Sequence, residues 1–449
     1  MLRFLALAAL AALALATAGR ASADPDRHVV VISLDGFPAW YLDDPEVSLP
    51  VIRGLRDAGA STADGMTVSN PSVTWPNHTT LMSGVRPAKH GVLFNGLPKR
   101  EPGAPTVVTP ERTQAELVHV PLLFDLIKPK GLTSAAINWP CTSGSESLGD
   151  NWPDVPKSFT HTTPRLKAEM EKAGQIERFE RGGGGGRDEV WAEVAADVIR
   201  ARKPNLLALH LLELDSTHHQ HGPNTPQGRA VAGKLDALVG KVVQAVDDAG
   251  IRDKTTIFVV ADHGFLANSK TLRPNALLRK EGLLTVEGEK VIRARAFVVP
   301  EGGIGMVYLT DPATKDEDRA TVRRLFEGAE GVAAVIEPED FPRYGLPKPE
   351  DHPGMADMIL AAKEGYGVGG AVNGDAFIQE HAQKGTHGYL STEPGMKALF
   401  VASGAGVKPG SRLPSVENVD VAPTAARLLG VPLEQADGRV LDEILVGAK

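Results

Sequence analysis

The sequence predicts an α/β fold built on a doubly wound, mainly parallel β-sheet. Continuous apolar runs rich in β-branched residues occur at intervals along its 449 residues. Such runs are typical of strands that are buried on both faces of a parallel sheet. Segments with helical periodicity lie between them, and this alternation indicates crossover connections between parallel strands.

The individual elements follow in chain order. The runs interpreted as strands are residues 29–34, 134–137, 206–214, 256–261 and 398–402. The helical segments between them are residues 49–58, 120–128, 188–202 and 228–249. A five-glycine tract at residues 182–186 is interpreted as a flexible surface loop, because it lacks the Lys-Ser/Thr ending of a phosphate-binding loop.

The pattern of the sequence changes between the fourth and fifth predicted strands. Shorter strand-like runs and many charged residues occur there, together with a helix candidate at residues 315–326. We interpret residues 266–380, approximately, as a smaller inserted α+β cap subdomain. The remainder of residues 24–449 would then form one catalytic domain.

The first 23 residues resemble a secretory signal peptide. They have a short basic start, an apolar core at residues 4–16 and Ala21-Ser22-Ala23 as an A-x-A cleavage site. The core is shorter than the ~20 apolar residues that a transmembrane helix needs. We therefore expect a periplasmic or extracellular protein without stable membrane insertion after cleavage; an uncleaved N-terminal anchor is the alternative.

Composition restricts the binding partners and the type of metal site. The formal net charge is −8, which argues against binding of long nucleic acids or anionic membranes. Cys141 is the only cysteine, so neither an intramolecular disulfide nor a cysteine-rich zinc module can form. A bound metal would need His, Asp, Glu or hydroxyl ligands.

Aspartates and histidines are concentrated after the predicted strands. These residues are Asp35, Asp215, His219, Asp262, His263 and, far downstream, His387. Each could singly be a turn or cap residue. Because sites in open α/β sheets form at the carboxyl ends of strands, the residues can converge, and three carboxylates with three imidazoles suit two zinc ions.

Thr74 lies at the predicted start of a short helix. Pro76 suits the first helical turn, and free N–H groups at that end favour an anion. Thr74 could simply cap this helix. Its hydroxyl could act as a nucleophile only if a metal or base removed its proton, and the Asp/His set could hold that metal.

Six segments in order give the chain a family resemblance. They are LDGF at 34–37, TWPNH at 74–78, HGVLFN at 90–95, DSTHHQHGP at 215–223, ADHG at 261–264 and THGY at 386–389. Together they resemble the signatures of the nucleotide pyrophosphatase/phosphodiesterase family, which belongs to the alkaline phosphatase superfamily. The resemblance spans nearly the whole mature chain and implies an alkaline-phosphatase-like fold.

The resemblance also implies roles for particular residues. One zinc ion would be held by Asp215, His219 and His387. The other would be held by Asp35, Asp262, His263 and the oxygen of Thr74. Asn95 matches a family asparagine that donates to a phosphate oxygen. Trp75 occupies the place of a family aromatic residue that stacks on the nucleotide base. Alternatively, Trp75 is a core residue at the start of the helix.

The implied activity is hydrolysis of phosphodiester or phosphoanhydride bonds in nucleotides or related small molecules, through a covalent phosphothreonine. A phosphomonoesterase or phosphonate hydrolase of the same superfamily is the alternative. Related monoesterases carry a Lys-x-Arg pair near the position of residues 138–140, which are uncharged here and so favour a diester. A non-catalytic zinc- or phosphate-binding protein is a more distant alternative.

Two positions depart from the family pattern. His218 stands where the family usually has glycine, directly before the metal-binding His219. Cys141 replaces the glycine of a Trp-Pro-Gly segment. Neither change removes a predicted ligand, but both alter the expected shape of the pockets around the site. Cys141 is interpreted as a buried bystander, with a reactive exposed thiol as the alternative.

Overall fold

The computed structural model describes residues 23–447. The predicted signal peptide, apart from Ala23, lies outside the described residues. Within them, none of the helices combines the length and apolar character needed to cross a membrane.

Short strands and helices alternate along the described chain. The strands are β1 (His28–Leu34), β2 (Ala60–Thr62), β3 (Met66–Thr67), β4 (Leu97–Lys99), β5 (Val107–Thr109), β6 (Ser134–Trp139), β7 (Asp150–Pro153), β8 (Leu206–Leu211), β9 (Thr255–Val260), β10 (Leu266–Leu272), β11 (Leu284–Glu287), β12 (Lys290–Ala294), β13 (Ala296–Glu301), β14 (Ile304–Leu309), β15 (Val332–Ile336), β16 (Met358–Ala362), β17 (Gly365–Val368), β18 (Ile378–Thr386), β19 (Phe400–Gly404), β20 (Ser411–Leu413) and β21 (Val416–Glu417). The α-helices are α1 (Pro50–Asp57), α2 (Thr74–Ser83), α3 (Pro87–His90), α4 (Gln114–Leu117), α5 (Leu123–Ile127), α6 (Pro164–Lys172), α7 (Gln175–Arg181), α8 (Gly184–Arg202), α9 (Glu213–His221), α10 (Pro226–Asp248), α11 (Pro274–Lys280), α12 (Lys315–Phe326) and α13 (Val421–Leu428).

An eight-stranded sheet forms the core, in the order β20–β2–β19–β9–β1–β8–β6–β7. The central strand β1 pairs in parallel with both β8 and β9, and every residue of these three strands is buried. Only β19 runs antiparallel to its neighbours. The predicted α/β class with a mainly parallel sheet is confirmed, and the buried apolar runs explain why these residues form central strands.

Two local predictions were wrong. The strand predicted over residues 206–214 ends at Leu211, and α9 begins at Glu213, so Asp215 lies on a helix. The glycine tract was predicted as a loop, but Gly184 begins the 19-residue helix α8. The buried face of α8, which includes Val190, Trp191 and Val194, outweighs the low helix propensity of glycine.

Residues 266–386 form separate small sheets beside the core. One is the three-stranded sheet β17–β10–β18, and another is the antiparallel sheet β13–β14–β16–β15. The helix α12 has the predicted bounds. Ile304, Met306 and Tyr308 pack with Leu93 and Phe94, so this region contacts the segment that leads to Asn95. Its assignment as a cap subdomain over 266–380 stays a prediction.

Candidate active site

Asp35 and Asp262 meet because their strands are parallel neighbours. Ser33 of β1 pairs with Val260 of β9, and each aspartate follows two residues later. His263 Nε2 lies 3.4 Å from Asp35 Oδ1 and 3.3 Å from Asp262 Oδ2. We call these three residues the Asp35 group. The backbone N–H groups of Gly36 and His263 donate to Asp262 Oδ1, both at 3.1 Å, and orient its other oxygen toward the group.

A second group forms beside the first. Asp215 and His219 lie one turn apart on α9, and His387 follows β18. Asp215 Oδ1 is 3.4 Å from His219 Nε2 and 3.6 Å from His387 Nε2. We call these three residues the Asp215 group. The ligand atoms of this group lie within 4.8 Å of one another, and so do those of Asp35, Asp215 and His263.

Backbone carbonyls orient the imidazoles of the Asp215 group. His219 Nδ1 donates to Gly385 O at 3.2 Å, and His387 Nδ1 donates to Ser72 O at 3.0 Å. These bonds leave both Nε2 atoms turned toward the carboxylate of Asp215. A carbonyl on the second ring nitrogen is the usual way in which a metal-binding histidine is held.

Burial controls the charges of the two groups. It raises the pKa of Asp35, an effect that the carboxylates of Asp262 and Asp215 strengthen, and it raises the pKa of Asp262 to about 8. Burial also lowers the pKa of His387 to about 3 and that of His263 well below its usual value. The imidazoles of His263 and His387 are therefore neutral near pH 7, and bound cations would favour the ionised form of the buried carboxyls.

Several polar atoms of the two groups are buried without a hydrogen-bond partner within residues 23–447. They are Asp35 Oδ1, Asp215 Oδ1, Asp262 Oδ2 and His263 Nε2. Unpaired buried polar atoms of this kind are costly. Carboxylate oxygen and imidazole nitrogen are donors that zinc accepts, so the residues present fit a zinc centre.

Two buried histidines that were not assigned to the site also border it. His210, from β8, has Nε2 2.9 Å from Asp35 Oδ2 and Nδ1 3.1 Å from Asn138 O. His78 Nδ1 donates to Thr74 O at 2.8 Å and lies 3.6 Å from Asp262 Oδ2. The signal for His210 was a single histidine within an otherwise apolar strand.

Thr74 begins α2, as predicted, and is partly buried. The N–H groups of a first helical turn have no partner within the helix. The next residue, Trp75, donates its backbone N–H to Asn95 Oδ1 at 2.8 Å. Asn95 itself is exposed. This bond uses the oxygen of the amide and leaves Nδ2 as the donor that Asn95 can offer beside Thr74.

The side chain of Trp75 is only 4% exposed and packs with Val92, Leu117 and Cys141. Its indole Nε1 donates to Asp154 Oδ2 at 2.7 Å. The base-stacking role of Trp75 stays a prediction. Burial raises the pKa of the Cys141 thiol, which agrees with its interpretation as a bystander.

His218 turns away from the predicted ligands. Its Nδ1 donates to Gly36 O at 3.2 Å, and its Nε2 lies 3.0 Å from the hydroxyl of Tyr41. The side chain is fully buried. His218 therefore ties α9 to the loop that follows β1, which is the loop that carries Asp35.

The fold and these two groups define an α/β protein with a candidate two-cation site at the carboxyl ends of its central strands. Residues 29–390 match the family model of type I phosphodiesterase/nucleotide pyrophosphatase. The chain belongs to this family, as the motifs predicted.

Curated relatives are identical to the chain at about a quarter of the aligned positions. Human ectonucleotide pyrophosphatase/phosphodiesterase family member 1 is 24% identical over 404 residues, which cover 87% of this chain and 39% of the relative. Mouse family member 7 is 23% identical over 418 residues, which cover 92% of this chain and 85% of the relative. The chain thus spans about two fifths of the length of the family member 1 proteins.

Solved structures support the same fold. Murine ectonucleotide pyrophosphatase/phosphodiesterase 5 superposes with a TM-score of 0.70 at 18% identity, covering 94% of this chain and all of the other. An inactive threonine-to-alanine variant of that protein, in complex with AMP, gives a TM-score of 0.69. The predicted alkaline-phosphatase-like architecture is confirmed.

Proposed function

We propose that the protein is an exported, two-zinc phosphodiesterase and nucleotide pyrophosphatase that uses Thr74 as its nucleophile. One observation carries the proposal: the segment with Thr74 is hydrogen-bonded to the Asp215 group and lies next to the Asp35 group. His387 of the Asp215 group donates to Ser72 O, while His78, which donates to Thr74 O, has the same Nδ1 3.6 Å from Asp262 Oδ2 of the Asp35 group. A nucleophile between two cation sites is the arrangement needed for in-line phosphoryl transfer.

The proposed ligands are the residues that the family resemblance implied. Asp215, His219 and His387 would hold one zinc ion, and Asp35, Asp262, His263 and Thr74 Oγ1 would hold the other. Zinc bound there supplies Lewis acidity, which favours the ionised Thr74 hydroxyl and a departing oxygen. The convergence of unpaired Asp and His atoms supports this ligand set.

The residues of the chain supply the remaining chemistry. Thr74 Oγ1 attacks phosphorus, so a new P–O bond forms as the bond to the leaving group breaks. Water then cleaves the resulting phosphothreonine and restores the hydroxyl. Asn95 Nδ2 and the backbone N–H of Thr74 would donate to the non-bridging oxygens, where negative charge grows in the transition state.

The residues near the proposed site favour a small diester or pyrophosphate as the substrate. Asn138 and Trp139 are buried and uncharged, so this segment offers no cation to the extra charge of a monoester. The acidic balance disfavours long nucleic acids. Relatives named ectonucleotide pyrophosphatases and venom phosphodiesterases support export, together with the predicted signal peptide.

The decisive experiment compares the wild type with Thr74→Ala on bis-p-nitrophenyl phosphate, p-nitrophenyl phosphate and p-nitrophenyl-TMP. We expect the wild type to prefer the two diesters, and Thr74→Ala to lose about a thousandfold in kcat or more. Both proteins should bind two zinc ions by elemental analysis. Thr74→Ser, which keeps a hydroxyl, is the matched control and should retain measurable turnover.

Three outcomes would contradict the proposal. Undiminished activity of Thr74→Ala would exclude the nucleophile. A preference for the monoester would favour the phosphomonoesterase alternative. Zinc binding without a burst of product or turnover on any of the esters would favour a binding protein.

A further inference from the structure

We propose that Asp154 is a positioning residue that holds the Trp75 side chain and thereby orients Asn95 beside Thr74. The proposal rests on the proposed function, in which Asn95 donates to the reacting phosphoryl group. It gives Trp75 a role in orienting Asn95, and this role does not require the indole to stack on a nucleotide base.

The carboxylate of Asp154 accepts one hydrogen bond on each oxygen. Oδ2 accepts from the indole Nε1 of Trp75 at 2.7 Å, and Oδ1 accepts from the backbone N–H of Val155 at 2.8 Å. Both hydrogen bonds favour the ionised form of this carboxyl, against the burial that raises its pKa. The indole is therefore anchored to the loop that follows β7, at the edge of the central sheet.

Packing alone does not account for an acidic group at this position. Burial raises the pKa of Asp154 to about 7, against the lowering effects of its hydrogen bonds and of the Lys157 ammonium. The thiol of Cys141 is the other titratable group that interacts with it. A leucine of similar size would fill the space without the cost of a buried carboxyl. What the carboxylate adds is the directed bond to the indole.

Trp75 transmits this anchoring to Asn95 through its own backbone. The ring is held on its sides by Val92, Leu117 and Cys141, and at its polar end by Asp154. Its backbone N–H donates to Asn95 Oδ1 at 2.8 Å. Since Asn95 is otherwise exposed, this bond determines which way its amide points. A shift of Trp75 would therefore misdirect Nδ2.

Misdirection of Asn95 Nδ2 should weaken transition-state stabilisation and therefore lower kcat. A donor that is displaced by a fraction of an ångström binds the growing charge less well, while ground-state binding changes little. We expect Asp154→Leu, which removes both acceptors, to lower kcat about tenfold with KM within about twofold. Asp154→Asn keeps one acceptor oxygen and should lose less.

The test measures both variants on bis-p-nitrophenyl phosphate and p-nitrophenyl-TMP, with zinc content and thermal unfolding recorded for each. The loss in kcat should be equal on the two substrates, because Asn95 would contact the phosphoryl group that both share. In an Asn95→Ala background, Asp154→Leu should cause no further loss in kcat. A purely structural role would lower stability without this dependence on Asn95.

Trp75→Phe provides an independent variant, because it removes the indole N–H and keeps an aromatic ring. It should reproduce the loss in kcat, and adding Asp154→Leu to it should have little further effect. A loss confined to KM or to p-nitrophenyl-TMP would make Asp154 a contact of the substrate's nucleoside and overturn the proposal, as would additivity with Asn95→Ala. Absence of diesterase activity in the wild type would instead contradict the proposed function.

Discussion

The imidazole rings of His263 and His387 stack face to face, with centroids 3.7 Å apart and planes inclined by 7°. His263 belongs to the Asp35 group and His387 to the Asp215 group, so the two groups contact each other through this stack. Two charged rings at this distance would repel, and burial together with this neighbour holds the pKa of His263 well below its usual value. Neutral rings leave their Nε2 atoms able to bind metal.

The first prediction concerns Asp215, which belongs to one group but whose carboxylate also lies close to the other. A ligand atom of Asp215 lies within 4.8 Å of His219 and His387 and also of Asp35 and His263, so sharing of this carboxylate between the two cation sites is expected, whereas His219 serves one. We expect Asp215→Asn to lower the zinc content by more than one equivalent, and His219→Ala to remove about one. Elemental analysis after dialysis measures this. The exposed Asp247→Asn is the control and should keep both ions; equal losses in the two site variants would contradict the sharing.

A second prediction concerns Asn95 and its donor nitrogen. Asn95→Ala should lower kcat about 10²- to 10³-fold with little change in KM, because one donor to the transition-state charge is lost. Asn95→Asp keeps an acceptor for Trp75 N–H but directs negative charge at the phosphoryl group, so it should lose at least as much. Steady-state kinetics on a diester checks both variants, and wild-type kcat in Asn95→Ala would refute the role.

The third prediction concerns His218, which replaces the family's usual glycine. His218→Gly removes a buried ring and its bonds to Gly36 O and Tyr41, so unfolding should require about 2–3 kcal/mol less free energy. Urea denaturation at fixed zinc concentration measures the change. Gln220→Gly, at an exposed position of the same helix, is the control and should cost about 1 kcal/mol or less. Equal effects would show that the buried contacts contribute nothing.

The fourth prediction is a pH dependence caused by Asp188. Its carboxylate accepts from the backbone N–H groups of Leu212 and Glu213, yet burial raises its pKa to about 7. An unfolded aspartate titrates near ~3.9, so the folded state binds this proton more tightly. The stabilising contribution is therefore complete below about pH 4 and is lost as the pH rises through about 7.

Asp188→Asn removes that titration. We expect the difference in unfolding free energy, wild type minus variant, to decrease by about 1–3 kcal/mol as the pH rises from 4.5 to 8. Denaturation at both pH values and fixed zinc concentration measures it. Parallel pH profiles of the two proteins would show that Asp188 does not change its protonation state on folding.

Local sequence was sufficient for much of the fold. Strands β1, β8 and β9 are continuous apolar runs, and a sheet buried on both faces requires such runs, so their type and parallel pairing could be predicted. The end of β8 and the start of α8 could not. At both places the outcome depends on packing with distant segments, which overrides the propensities of the residues themselves.

The predicted metal ligands were found together because each follows a strand or lies on a short helix at one edge of the sheet. His210 was missed because its partner Asp35 is 175 residues away, and Asp154 because Trp75 is 79 residues away. No sequence spacing encodes such pairs.

The sequence by itself thus determined the fold class, the family and the Asp and His residues that meet in the candidate site, because each depends on local pattern and order along the chain. Only the tertiary structure decided which oxygen or nitrogen of each side chain faces the site, that two imidazoles stack between the groups, and that Trp75 is anchored by Asp154. Those relationships arise from burial and hydrogen bonding between segments that meet only after folding.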